Sequence, residues 1–121
     1  MSEPPRDGIR VHETFFVLLV SDMARAVAFY ENALGGAVSY MSDAWTSVTV
    51  SGVRLGLSHA PGHIPCETQL HFAVADLSQA CERVTDLGGS VVHPPRQLAK
   101  EVWLARVRDP EGNAFSFSGL S

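Results

Sequence analysis

The sequence predicts an α+β domain built from two copies of a β-α-β-β-β unit. Three observations carry this. First, the chain repeats: VSDMARAVAFYENALGGAV, starting at Val20, aligns with VADLSQACERVTDLGGSV, starting at Val74. Val20, Asp22 and Ala26 recur as Val74, Asp76 and Ala80 at an offset of 54, and Leu34, Gly35, Gly36 and Val38 recur as Leu87, Gly88, Gly89 and Val91 at an offset of 53. One residue deleted within the helix accounts for the change, and the copies span 14–59 and 68–119. Second, each copy passes from a short β-branched and aromatic run to apolar residues at helical spacing. Third, each helical stretch stops at Gly-Gly, the residue type that takes the left-handed conformation favoured at a helix C-terminus.

The opening strands are TFFVLLV and TQLHFAV, each bounded by polar residues. Asp22 and Asp76 follow, placed to accept backbone N–H bonds at the helix start, and Gln79 completes a capping-box pattern with Asp76. The first helix gathers Met23, Ala26, Val27, Tyr30, Ala33 and Leu34 on one face; the second gathers Leu77, Ala80, Cys81, Val84 and Leu87. Three strands follow each helix. They are about AVSYM, WTSVTV and VRLGLSH in the first unit, and about SVVHP, EVWLARV and NAFSFSG in the second. VSGV and DPEGN read as tight hairpins joining the last two strands of each unit.

With 121 residues, 45% of them hydrophobic, the chain is long enough to bury one real core. Its net charge is −4, with the charges interspersed. The absence of a Lys/Arg cluster excludes nucleic acid as the expected partner. The longest apolar run, 15–20, falls far short of the roughly 20 residues a membrane-spanning helix needs. The polar, proline-bearing stretch 1–12 reads as a frayed leader to a single domain over 13–121, and the expected location is cytoplasmic. Cys66 and Cys81 show no metal or redox spacing. Cys81 lies on the apolar stripe of the second helix and reads as a buried thiol, whereas Cys66 falls in a loop.

VSDMARAVAFYENALG resembles the opening of a vicinal-oxygen-chelate domain, and DPEGNAFSF resembles that family's closing hairpin. The superfamily includes glyoxalase I, bleomycin-resistance proteins, extradiol dioxygenases and fosfomycin-resistance thiol transferases. The resemblance covers about 13–119 and implies strands curled into a mixed-sheet cup, with helices on the convex side and the ligand in the concave side. Because many chemistries share the fold, it selects none of them.

Strand alternation sorts the side chains. Thr46, Val48 and Val50 should meet the helix, which turns Trp45, Ser47 and Thr49 to the cup. Val53, Leu55 and Leu57 should do the same, leaving Arg54, Gly56 and Ser58. Trp103, Ala105 and Val107 make an apolar face opposite Leu104, Arg106 and Arg108. Phe115 and Phe117 are core, so Ser116 faces the cup. The first opening strand is apolar on both faces, so alternation does not choose between them; the second is ambiguous by pattern, and the resemblance turns Gln69, His71 and Ala73 inward.

The resemblance also locates the metal position of metal-binding relatives at Phe15, Gly56, Gln69 and Ser116. A divalent metal needs three or four N, O or S donors, and of these residues only Gln69 is a plausible one. The expectation is therefore no metal and no cofactor. Phe15, Trp45, Arg54, Gln69, His71, Arg106 and Ser116 are the expected ligand-binding residues. Four of them have a plainer alternative: a rim salt bridge for Arg54 and Arg106, core packing for Trp45, a hydrogen-bonded packing role for His71. His71 and Glu13 are the candidate acid/base residues, and His59, His63 and His71 would form any relocated metal site.

The leading functional expectation is metal-independent binding of a small organic molecule, an antibiotic or an aromatic metabolite, as bleomycin-resistance proteins do. The alternatives are a lyase or isomerase acting on a small anionic substrate and, last, a metal-dependent enzyme. A homodimer is expected, because exposed strand edges and half-open cups invite pairing and relatives of this length close their sites across a two-fold axis.

Overall fold

The structure, a computed structural model, describes residues 8–120. Residues 1–7, over half of the expected leader, lie outside the described residues, and 9–15 form neither helix nor strand. The elements are β1 (Phe16–Val20), α1 (Met23–Leu34), β2 (Ala37–Met41), β3 (Trp45–Val50), β4 (Val53–His59), β5 (Glu67–Asp76), α2 (Leu77–Asp86), β6 (Ser90–Ala99), β7 (Val102–Arg108) and β8 (Ala114–Leu120). The β-α-β-β-β order thus occurs twice. Each unit makes its own open mixed sheet, in the order β1-β4-β3-β2 and β5-β8-β7-β6. In each, the first and last strands of the unit pair in parallel (β1 with β4, β5 with β8) and the other neighbours are antiparallel.

The repeated sequence signals perform the same local work in both units. Asp22 accepts from the Arg25 N–H and Asp76 from the Gln79 N–H, at 3.1 and 3.0 Å. Gly35 (φ 66°) and Gly88 (φ 96°) take left-handed conformations just past the helices. The second glycine of each pair answers a different need, close approach: a Cβ on Gly36 would stand 2.9 Å from the Tyr30 carbonyl oxygen, and one on Gly89 2.4 Å from that of Arg108.

A single apolar core joins the units. It includes the helix-facing residues of β3, β4, β7 and β8 and the expected stripes of both helices. Cys81 is buried and Cys66 exposed. Two details differ from the sequence reading. Phe29 is also buried, at 1% exposure, with its ring 6.5 Å from that of Phe115. Helix α1 packs on its own sheet and on the second unit's aromatic cluster at once, so its buried arc is wider than one stripe. Val53, expected to meet the helix, is exposed beside the hairpin.

Strand β6 also runs past the expected SVVHP, through Pro94 and Pro95 to Ala99, with register shifts against β7 along the way. It lies at the sheet edge, where a missing backbone N–H is tolerated. Among the described residues no helix is long and apolar enough to cross a membrane.

Candidate functional site

Each sheet turns one face to the shared core and leaves the other open. On the first sheet, register aligns Val17, Gly56, Ser47 and Tyr40 in one row across the open face. The Trp45 indole lies over Gly56, where a Cβ would come within 2.2 Å of the ring. Its Nε1–H donates to Ser47 Oγ at 3.0 Å, and the Phe15 ring packs edge-on at 5.6 Å. Trp45 is therefore held from three sides yet remains partly exposed. Phe15, Val17 and Leu19 are 41, 46 and 42% exposed, so this face offers apolar surface to whatever covers it. Arg54 is spent in an ion pair with Glu13, the rim salt bridge of the plainer reading, and that pairing ties up Glu13 as a base.

On the second sheet, Leu70, Phe72 and Val74 pack on the core, which turns Gln69, His71 and Ala73 to the open face. The equivalent row here is His71, Ser116, Arg106 and His93. Strand β5 advances from Glu67 to His71 while β8 advances only from Ala114 to Ser116, so His71 rather than Gln69 stands beside Ser116. Arg106 donates to Ser116 Oγ and to the Thr68 carbonyl, both at 2.9 Å. His71 Nε2 lies 2.7 Å from Ser118 Oγ. Arg108 grips both Glu67 oxygens, and those hydrogen bonds hold the carboxyl below its ordinary range. His93, Arg96, Leu104, Ala105, Arg106 and Ser116 line a cleft of about 100 Å³. The expected ligand-binding set is thus divided in two, with Phe15, Trp45 and Arg54 on one sheet and Gln69, His71, Arg106 and Ser116 on the other.

A third polar group lies where the units meet. Glu111, in the β7–β8 hairpin, accepts hydrogen bonds from the Ser21 N–H and hydroxyl, the Asp22 N–H and the Arg25 guanidinium, and pairs with His63 Nε2 at 3.0 Å. Burial alone would raise this carboxyl; the hydrogen bonds from His63, Ser21 and Arg25 outweigh it and hold Glu111 far below the carboxylate range. The same bond raises His63 above its ordinary value, against partial burial. Asp109 accepts from the Tyr30 hydroxyl at 2.6 Å, and Asn113 donates to the Leu19 carbonyl while accepting from the Cys66 N–H. Sequence reasoning took DPEGN for turn chemistry alone and missed this joint. It also missed His93 and Arg96, which the prolines between them hid from the alternation pattern.

The residues at the implied metal position do not fit a divalent cation. Phe15 has no donor, Gly56 is roofed by Trp45, and Ser116 Oγ already accepts from a guanidinium. Nor do the histidines supply a relocated site. His59 is exposed at the end of β4, His63 is engaged by Glu111, and His71 is bonded to Ser118. Among the described residues no three His, Cys, Asp or Glu side chains gather as a metal site.

Paired β-α-β-β-β units with open faces opposite their helices define the class of scaffold to which the sequence motifs pointed. The chain belongs to the Glyoxalase/Bleomycin resistance protein/Dioxygenase superfamily, whose model matches residues 12–117. No curated protein matches the sequence. Solved structures do share the fold. The hypothetical protein SA1046 from S. aureus is 20% identical, with a TM-score of 0.75 over 91% of this chain and 94% of that one. The fosfomycin resistance protein FosX from Listeria monocytogenes is 15% identical, with a TM-score of 0.77 over 93% of this chain and 96% of that one. TioX from Micromonospora sp. ML1 is 19% identical, with a TM-score of 0.66 over 90% of this chain and all of that one.

Proposed function

We propose that this protein binds a small, partly apolar organic molecule without a metal or other cofactor, an antibiotic or an aromatic metabolite being the class of ligand. The observation that carries the reading is Trp45. Its indole is locked over Gly56 and against Phe15 on an open, apolar sheet face, a fixed surface for a flat ligand to stack on. Ligand sites are mostly apolar with a few convergent polar groups. Gln69, His71, Arg106 and Ser116 on the second sheet's open face supply the polar part. Each face is half of such a site, so the functional form is a homodimer that sets the first sheet of one copy against the second sheet of the other. The cytoplasm is the proposed location.

Titration of planar aromatic compounds should quench Trp45 fluorescence in a Trp103→Phe background. A Trp45 signal that responds to no such compound would remove the stacking surface and the reading with it. Light scattering should report a dimer at micromolar concentration, and a monomer would refute the shared site. A second reading, a lyase or isomerase in which His71 transfers a proton on a small anionic substrate, takes support from one observation. His71 is exposed and stands beside Ser116 and Arg106 in one row. Loss of turnover with retained binding in His71→Ala would establish it.

A further inference from the structure

The arginine on the second sheet is in an unusual position for a structural cation. Arg106 is half-buried, yet both of its hydrogen bonds go to uncharged oxygens, Ser116 Oγ and the Thr68 carbonyl. Among the described residues no carboxylate lies within salt-bridge reach of Arg106 or of Arg96, which lines the same cleft. The neighbouring carboxylate, Glu67, is taken by Arg108. A partly desolvated guanidinium is stable when a counter-charge completes it. The chain carries a net charge of −4, yet this patch brings together two guanidinium groups that have no salt-bridge partner among the described residues, with His93 beside them.

We propose that the cleft between β6 and β7 is an oxyanion subsite that takes the carboxylate head of the ligand, with Arg106 as its fixed anchor and Arg96 as the second donor. This rests on the aromatic-face reading above and names the ligand class within it: a planar aromatic acid. Ser116 and Thr68 orient the Arg106 fork, leaving its remaining N–H groups for the ligand, and a planar fork matches a carboxylate. Size limits what enters. The cleft's volume of about 100 Å³ falls well below the roughly 300–1,000 Å³ of pockets that enclose drug-sized ligands. The cleft therefore holds the head of a ligand whose body lies outside it, where Trp45 of the facing half-site would meet the ring. At the position where the resemblance implies a metal, this chain presents Ser116 bonded to a guanidinium. The cationic role is filled by a side chain that needs no loading.

The experiment compares 1-naphthoate with its neutral isostere 1-naphthamide, reading Trp45 fluorescence in the Trp103→Phe protein and affinity by calorimetry. The acid should bind about tenfold or more tightly than the amide, the size of effect expected for a charge-assisted hydrogen-bond pair. That preference should collapse in Arg106→Gln and in Arg96→Gln, and survive in Lys100→Gln, which removes a cation from the β6–β7 turn, outside the cleft lining. Arg96 is exposed, so its variant remains informative even if Arg106→Gln disturbs folding. Equal affinity for acid and amide would overturn the oxyanion subsite while leaving the aromatic face standing. Binding of neither compound would overturn both. A preference that persists in both arginine variants would overturn the location.

Discussion

The two units share a backbone and differ in what they do with it. The hairpin of the first, Val50 to Val53, turns on Ser51 (φ 47°) and Gly52 (φ 83°), both exposed. The topologically equivalent hairpin of the second is Asp-Pro-Glu-Gly-Asn, with Asp109, Glu111 and Asn113 at 3, 7 and 0% exposure. One turn ends at solvent; the other reaches back to hold β1 and α1 of the first unit. The open faces diverge in the same way. Across the first sheet the row reads Val17, Gly56, Ser47, Tyr40, and across the second His71, Ser116, Arg106, His93. A duplicated scaffold conserves caps and strand order because these are local needs of each copy. It is free to diverge at the joint and on the open faces, which each copy need supply only once.

The largest expected effect breaks the hairpin comparison outright. Glu111→Ala removes the acceptor for two backbone N–H groups, the Ser21 hydroxyl and the Arg25 guanidinium, and leaves His63, whose side chain is 4% exposed, without its partner. Breaking a buried charged pair by removing one member costs about 3–5 kcal/mol, and denaturant midpoints would measure it. Gly52→Ala, in the other hairpin, forces a Cβ into a left-handed position with no neighbour within 4 Å and should cost only about 1–2 kcal/mol. Equal costs would mean that the units are not joined through Glu111.

Acidity should weaken the same joint without removing it. Glu111 is depressed in the fold, so its contribution is present above its ordinary value of 4.5 and is lost as the pH falls toward its folded value. His63 is raised, so its contribution is complete below 6.5 and is lost as the pH rises through its folded value. The joint is therefore strongest between these limits. Asp109 acts with the opposite sign: burial raises its carboxyl against the hydrogen bonds from Tyr30, Asn113 and Glu111, so ionising it costs stability. The test is accordingly a difference. The stability gap between the wild type and Glu111→Gln should narrow as the pH is lowered from 5 toward 2, and the gap to His63→Gln should narrow as it is raised past 7. Gaps that do not change with pH would remove the charge from the account and leave only packing.

What the sequence disclosed, and what it withheld, follows the same division. Asp22, Asp76, the Gly-Gly stops and the inward Phe115 and Phe117 were readable because each is decided within a few residues. Phe29 was misjudged because its partner, Phe115, belongs to the other unit. Glu111 was read as a turn residue because Ser21 is 90 positions away, and no local pattern encodes such a pairing. The facing of β5 went undecided although its alternation was legible: Leu70 and Phe72 form the apolar side that packs on the core, opposite Gln69 and His71. Arg106 was recognised as open-faced from alternation, but its lack of a carboxylate partner among the described residues is a property of the register with β8 and β5.

Gly56→Ser sharpens the comparison of the open faces, because it installs in the first sheet the residue that the second carries at the equivalent position. In the second sheet Ser116 has room and a guanidinium to bond. In the first, the added Cβ would stand 2.2 Å from the Trp45 ring, and the ring is the mobile partner because β4 is fixed between β1 and β3. The indole must swing off the strand, breaking its bond to Ser47 and its edge contact with Phe15. Overpacking of this kind costs about 1–3 kcal/mol, less than the loss of Glu111 because the displaced ring moves toward solvent rather than into the core. The spectroscopic consequence is larger than the energetic one. Trp45 emission should shift to the red in the Trp103→Phe background, and aromatic ligands should lose their quenching. An unshifted spectrum with unchanged ligand response would show that Gly56 does not seat the indole, and the two rows would differ in composition without differing in function.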